Sequence, residues 1–243
     1  SETLDPQSTS DSRTTTYTYY TDAVNDGDNY AHLKLMEAPD GYWERYEYDS
    51  QGRVTKTVSP AGDALPAAAE SSCRVVQTLY QATAPQETRI ESYLGQEVRR
   101  RYTIYSGDTT REIEAASPGA AWNASGNLET ETELIGGSGE FKDEVEFIRY
   151  SDGTLLHKTY SRNSSTGELT TVSSRGAPNG SETAVTDGRQ TTLFEDAYGN
   201  LISETVTDVA SGLTVSFKAV TSSDALGRPL RIDYLDGTFE TFV

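Results

Sequence analysis

Apolar and polar positions alternate along much of the chain with a period of two. In Leu213-Thr-Val-Ser-Phe-Lys-Ala219, one face carries Leu213, Val215, Phe217 and Ala219, and the other Thr214, Ser216 and Lys218. Leu128-Glu-Thr-Glu-Thr-Glu-Leu134 gathers Glu129, Glu131 and Glu133 on one side. Successive side chains of a strand point to opposite faces, so both segments predict strands with one solvated face. No stretch shows a sustained helical period. Leu65-Pro-Ala-Ala-Ala-Glu70 has a proline suited to a helix start but is too short to stand alone.

The punctuation between strands recurs. Gly41-Tyr-Trp-Glu-Arg-Tyr-Glu-Tyr-Asp-Ser-Gln-Gly-Arg-Val54 and Gly188-Arg-Gln-Thr-Thr-Leu-Phe-Glu-Asp-Ala-Tyr-Gly-Asn-Leu201 share a spacing: Asp49 and Asp196 each follow a glycine by eight residues, and Gly52 and Gly199 come three later. The Asp-x-x-Gly step returns at Asp224 to Gly227, with an asparagine at Asn123 to Gly126, and more loosely from Ser164 to Gly167. A second punctuation follows at Pro60-Ala-Gly62, Pro178-Asn-Gly180 and Asp236-Gly237. Aspartate opens a tight turn because its carboxylate accepts backbone N–H groups two residues on. Glycine takes the positive-φ position that closes it. Tyr46 and Tyr48 share a face of the incoming strand and can meet Val54 across the hairpin, while Trp43 and Arg45 take the other face. A lone hairpin cannot bury its apolar face, so neighbours must lie edge to edge.

These residues resemble the YD-repeat, or Rhs-repeat, family, whose motif is Gly-x-x-x-Arg-Tyr-x-Tyr-Asp-x-x-Gly-Arg followed by Leu or Val. Gly41, Arg45, Tyr46, Tyr48, Asp49, Gly52, Arg53 and Val54 match every position. The copy from Gly188 departs, with Leu193 and Glu195 in place of the tyrosines and Asn200 in place of the arginine. The resemblance implies an all-β fold of antiparallel β-hairpin repeats forming a large curved or spiralling sheet, a partial shell or open barrel. It also implies a structural segment of a large secreted or cell-surface bacterial protein, whose partners are the remaining repeats of the same polypeptide. On this reading residues 1–243 form a single repeat segment, with longer irregular loops around 63–100 and 161–178. The Ser1 start and the partial repeat Gly237-Thr-Phe-Glu-Thr-Phe-Val243 suggest a piece of a longer chain.

Composition narrows the picture. Apolar residues make up 35%, and 15 tyrosines outnumber 6 phenylalanines and 2 tryptophans, which suits half-buried surfaces better than a thick core. A net charge of −18 argues against nucleic acid and anionic membranes as partners. No apolar run approaches the roughly 20 residues that span a bilayer, so no membrane insertion is expected. The one cysteine, Cys73, excludes an internal disulfide framework and reads as a small apolar filler.

Little of the remaining chemistry rises above structure. His32 and His157 lack metal-ligand spacing, and the aspartates of the turns already have work. No enzyme activity or cofactor is expected, since neither a phosphate loop nor a dinucleotide fingerprint is present. A glycoside hydrolase using scattered carboxylates is the third reading. The acidic loop Asp22-Ala-Val-Asn-Asp26-Gly-Asp28-Asn invites comparison with a calcium loop, but Val24 and Leu33 fall where oxygen ligands belong, so a polar turn is the expectation. Tyr42 and Trp43 are the candidate ligand-binding residues: flat rings beside polar groups can stack on a sugar, making a carbohydrate- or host-surface-binding module the alternative function. Asn123, Asn163 and Asn179 begin glycosylation sequons.

Overall fold

The structure, a computed structural model, describes residues 2–4 and 13–242. It is all-β, with antiparallel strand pairing. Contacts divide the chain into two compact units, one of Ser1–Tyr105 with Arg111–Leu128, the other of Ser106–Thr110 with Glu129–Val243. No helix among the described residues is long and apolar enough to cross a membrane.

The first unit contains β1 (Glu2–Leu4), β2 (Arg13–Tyr19), β3 (Leu33–Glu37), β4 (Trp43–Tyr48), β5 (Val54–Pro60), β6 (Cys73–Tyr80), β7 (Glu87–Tyr93), β8 (Gln96–Ser106) and most of β9 (Thr109–Glu114). Consecutive strands pair from β2 onward, so the sheet is a meander. Residues opposite one another across antiparallel strands share a face. The row Leu35, Arg45, Val58 and Val75 therefore lies on one side, together with Trp43 and Cys73. Trp43, Val58 and Cys73 are buried there, with Leu35, Ala64, Ala68 and Val75 packed against them. Tyr102 reaches the same face through the row Leu79, Thr88, Tyr102. It forms a second cluster with Ile104, Ile113, Ala115 and Trp122.

Loops, rather than a second sheet, cover this face. Residues 61–72 fold over Trp43, whose indole Nε1–H donates to the Ala64 carbonyl at 2.7 Å. Residues 115–127 fold over Tyr102, whose hydroxyl donates to the Ala120 carbonyl at 2.5 Å. In each case a large ring fills the gap and its polar tip satisfies an irregular backbone group that burial would otherwise penalise.

The second unit contains the rest of β10 (Leu128–Leu134), then β11 (Val145–Arg149), β12 (Leu155–Arg162), β13 (Leu169–Pro178), β14 (Val185–Glu195), β15 (Leu201–Asp208), β16 (Thr214–Ser223), β17 (Pro229–Tyr234) and β18 (Phe239–Thr241), again paired in chain order. Val243 lies outside the described residues. Near the Pro178–Val185 end of the β13–β14 pair, Gly176 faces Gly188. A Cβ on Gly176 would sit 1.9 Å from the Asp187 carbonyl oxygen, and one on Gly188 would sit 2.2 Å from that of Arg175. Only paired glycines allow two backbones to approach this closely.

One expectation is corrected. The irregular loops predicted around 63–100 and 161–178 are mostly strand: β6, β7 and the start of β8 occupy the first, and β13 the second. Ladder bonds are made by the backbone, so Arg74-Val-Val-Gln-Thr78 and Leu169-Thr-Thr-Val172 need only β-branched residues, not the Tyr-x-Tyr-Asp marker. Gly188, aligned by sequence with Gly41, does not close a turn; it lies inside β14, whereas Gly41 sits in a turn at φ +88°.

Candidate functional site

The turns are the most regular feature. In the three Asp-x-x-Gly turns the first N–H donates to the fifth carbonyl: Asp49 to Arg53 at 3.0 Å, Asp196 to Asn200 at 2.9 Å, Asp224 to Arg228 at 3.0 Å. The glycine N–H returns to the first carbonyl, with Gly52, Gly199 and Gly227 at φ +75°, +82° and +78°. One carboxylate oxygen accepts the third and fifth N–H groups: Gln51 and Arg53 for Asp49, Tyr198 and Asn200 for Asp196, Leu226 and Arg228 for Asp224. The other is held by the fifth side chain, Arg53 at 2.8 Å, Asn200 at 2.8 Å and Arg228 at 2.6 Å. Asn200 thus does the work of the arginine it replaces.

Three further turns share the backbone bonds but carry the aspartate at the third position. Asp40, Asp152 and Asp236 accept the N–H of Tyr42, Thr154 and Thr238. Their Asp-Gly pairs were readable in the sequence, yet the sequence reading picked out only Asp236. Because turns of a meander alternate between its two ends, Asp196 and Asp224 mark one end of the second unit, and Asp152 and Asp236 the other. The looser copies differ. Asn163, not Ser164, opens its turn, while Asn127 rather than Asn123 ties its loop, bonding Ala116, Ala121 and Trp122.

These bonds hold the carboxyls below their ordinary range. The Asn200 side chain is the main cause for Asp196, and the Arg228 backbone N–H for Asp224. For Asp49, desolvation pushes upward, but the Arg53 and Gln51 bonds together outweigh it.

Tyr42, Glu44, Tyr46 and Tyr48 run along the face of the first unit opposite Trp43. The Glu44 carboxylate accepts both the Tyr42 and the Tyr46 hydroxyl. Burial first, and the Glu44 bond second, push the Tyr46 hydroxyl pKa upward. Tyr48 meets Val54 in register, as expected, and stacks on His32 with ring centroids 4.5 Å apart. Arg45 lies over Trp43 at 5.2 Å and donates to the Ala68 carbonyl.

Trp43 is corrected as a ligand-binding residue: it is 1% exposed, with its N–H engaged, because packing under the 61–72 loop offers it more contact than solvent does. Tyr42 remains 40% exposed. Both edge a groove of about 550 Å³ whose lining includes Glu37, Asp40, Asp63 and Leu65. A ring with acceptor oxygens around it suits a ligand with both apolar and hydroxyl faces.

The acidic loop turns inward on itself. Asp22 accepts the N–H groups of Val24 and Asn25 and the Asn25 side chain, and its own N–H donates to Asp26. Asp28 lies in the one-turn 3-10 segment Gly27–Asn29. No group of three or more metal-ligating side chains gathers among the described residues. Glu131 and Glu133 are both held by Arg149 at 2.9 Å. His157 stacks on Phe147 at 4.6 Å, and Cys73 is wholly buried. No protein-family model matches the chain, and no curated protein matches it.

Proposed function

We infer that the chain is a non-catalytic scaffold segment of the YD/Rhs-repeat type, part of a larger secreted or cell-surface bacterial polypeptide and packed against its other repeats. The observation that carries this reading is the turn device, with one set of hydrogen bonds repeated at Asp49, Asp196 and Asp224. A chain under selection for sheet geometry repeats its turns, whereas a catalytic site concentrates its unusual residues in one place. Exchanging turns tests it: Asp-Ser-Gln-Gly-Arg at 49–53 replaced by the Asp-Ala-Leu-Gly-Arg of 224–228 retains fold and assembly of the longer polypeptide. Turnover of a glycoside panel that vanishes on one Asp or Glu substitution overturns it.

A second reading, a carbohydrate-binding module, is favoured by exposed Tyr42 beside Glu37, Asp40 and Asp63 in the 550 Å³ groove. Such dimensions suit a small ligand. On a glycan array, a bound sugar lost on Tyr42→Ala and on Asp63→Asn supports this reading; binding unchanged by both removes the groove.

A further inference from the structure

On the open face of the first unit, the strands β6, β7 and β8 raise Arg74, Arg89, Arg99 and Arg101 around a recess of about 150 Å³, with Glu91 as the remaining lining residue. Two carboxylates balance part of this charge. Glu91 pairs with Arg74 at 2.8 Å, and Glu114 takes Arg99 at 2.5 Å and Arg101 at a long 3.6 Å. The recess lining itself holds four guanidiniums and one carboxylate, a local excess of positive charge in a chain of net charge −18. Arg89 is exposed, and among the described residues it makes no close ion pair of its own, its charge reaching Glu91 only at longer range. It also stands directly opposite Arg101 in the ladder. Like charges placed directly across a strand pair destabilise it.

The geometry points to a binding site for a single dianionic oxyanion, a phosphate or sulfate group, held chiefly by Arg89 and Arg101 with Arg74 and Arg99 at its border. Guanidinium presents its donors as a fork that pairs oxyanions bidentately. The recess has room for about five waters at roughly 30 Å³ each, the size of one such group and not of a polymer. Polyanions meet the repulsion of the whole acidic chain, whereas one group enters a local positive field. This site shares none of its lining with the Tyr42 groove and does not depend on the scaffold reading.

The test is calorimetric titration of the full chain with inorganic phosphate at pH 7.5, against chloride of equal ionic strength. Saturable binding is expected, at least tenfold weaker in Arg89→Gln and in Arg101→Gln and unchanged in Arg231→Gln, which lies in the other unit. Between about pH 8 and pH 6 inorganic phosphate passes from mostly dianion to mostly monoanion and its binding weakens, while sulfate holds its affinity. Methyl phosphate binding as tightly as phosphate identifies a monoester as the ligand, and weaker binding identifies the free ion. Thermal melts keep the outcome interpretable: without phosphate, Arg89→Gln melts no lower than the parent, since it removes a like-charge contact. Binding that fails to saturate, or that survives both substitutions, overturns the site. So does a DNA oligonucleotide that binds more tightly than phosphate.

Discussion

At the scale of single residues, one carboxylate organises five residues of backbone. Asp49, Asp196 and Asp224 each accept two N–H groups that the turn leaves without a ladder partner, and each is anchored by the side chain of the fifth residue. Their folded-state pKa values are lowered, so the stabilisation is complete above the unfolded value of about 3.9 and is lost as pH falls through the folded values. The melting temperature is therefore expected to hold steady from pH 7 to 5 and to fall below about pH 4. Asp224→Asn keeps an oxygen for the two N–H groups but removes the charge, so a pH series of thermal melts should show a shallower acid limb for this variant. At Gly52, φ is +75° and an added Cβ would lie 3.2 Å from a His32 ring carbon. Gly52→Ala should lose about 1–2 kcal/mol in a denaturant titration, the strain of a left-handed non-glycine residue.

At the scale of elements, the sheets are held by ladders and by loops that act as lids. Trp43→Ala empties a fully buried site and should lose about 3–5 kcal/mol. Trp43→Phe keeps most of the apolar contact but leaves the Ala64 carbonyl without its donor, for a loss of about 1–3 kcal/mol. Hydrogen exchange should show protection falling first in residues 61–72 for both variants. In β13 and β14, Gly176→Ala or Gly188→Ala forces Cβ into a facing carbonyl. Either substitution should destabilise by about 1–3 kcal/mol or more, with cross-strand amide exchange accelerated from Arg175 to Arg189. The hairpin signals at Asp49 and Asp224 were legible from sequence because turn chemistry is local. The strands at 73–80 and 87–93 fell within an expected irregular loop because they lack the Tyr-x-Tyr-Asp marker, although the β-branched residues of the first suit a strand. The aromatic pattern at Tyr42 and Trp43 was legible as a feature, but its division into an exposed and a buried ring was not.

At the scale of the whole molecule, charge and a thin core set the stability. Buried apolar residues are few among the described residues: Trp43, Val58, Cys73, Tyr102, Ile104 and Ile113 in one unit, Phe147 and Leu155 in the other. With a net charge of −18, self-repulsion opposes folding, and added salt screens it. Raising sodium chloride from 0.01 to about 0.15 M, where the screening length shortens from roughly 30 to 8 Å, should raise the melting temperature. The Asp-x-x-Gly turns, strand alternation and the all-β class followed from the sequence by itself, because φ preferences and the two-residue period act between neighbours in the chain. Which ring lies under a loop, that Gly176 must face Gly188, and that Arg89 stands across from Arg101 were decided only by the tertiary structure. Each depends on the register between strands, a quantity that no single strand contains.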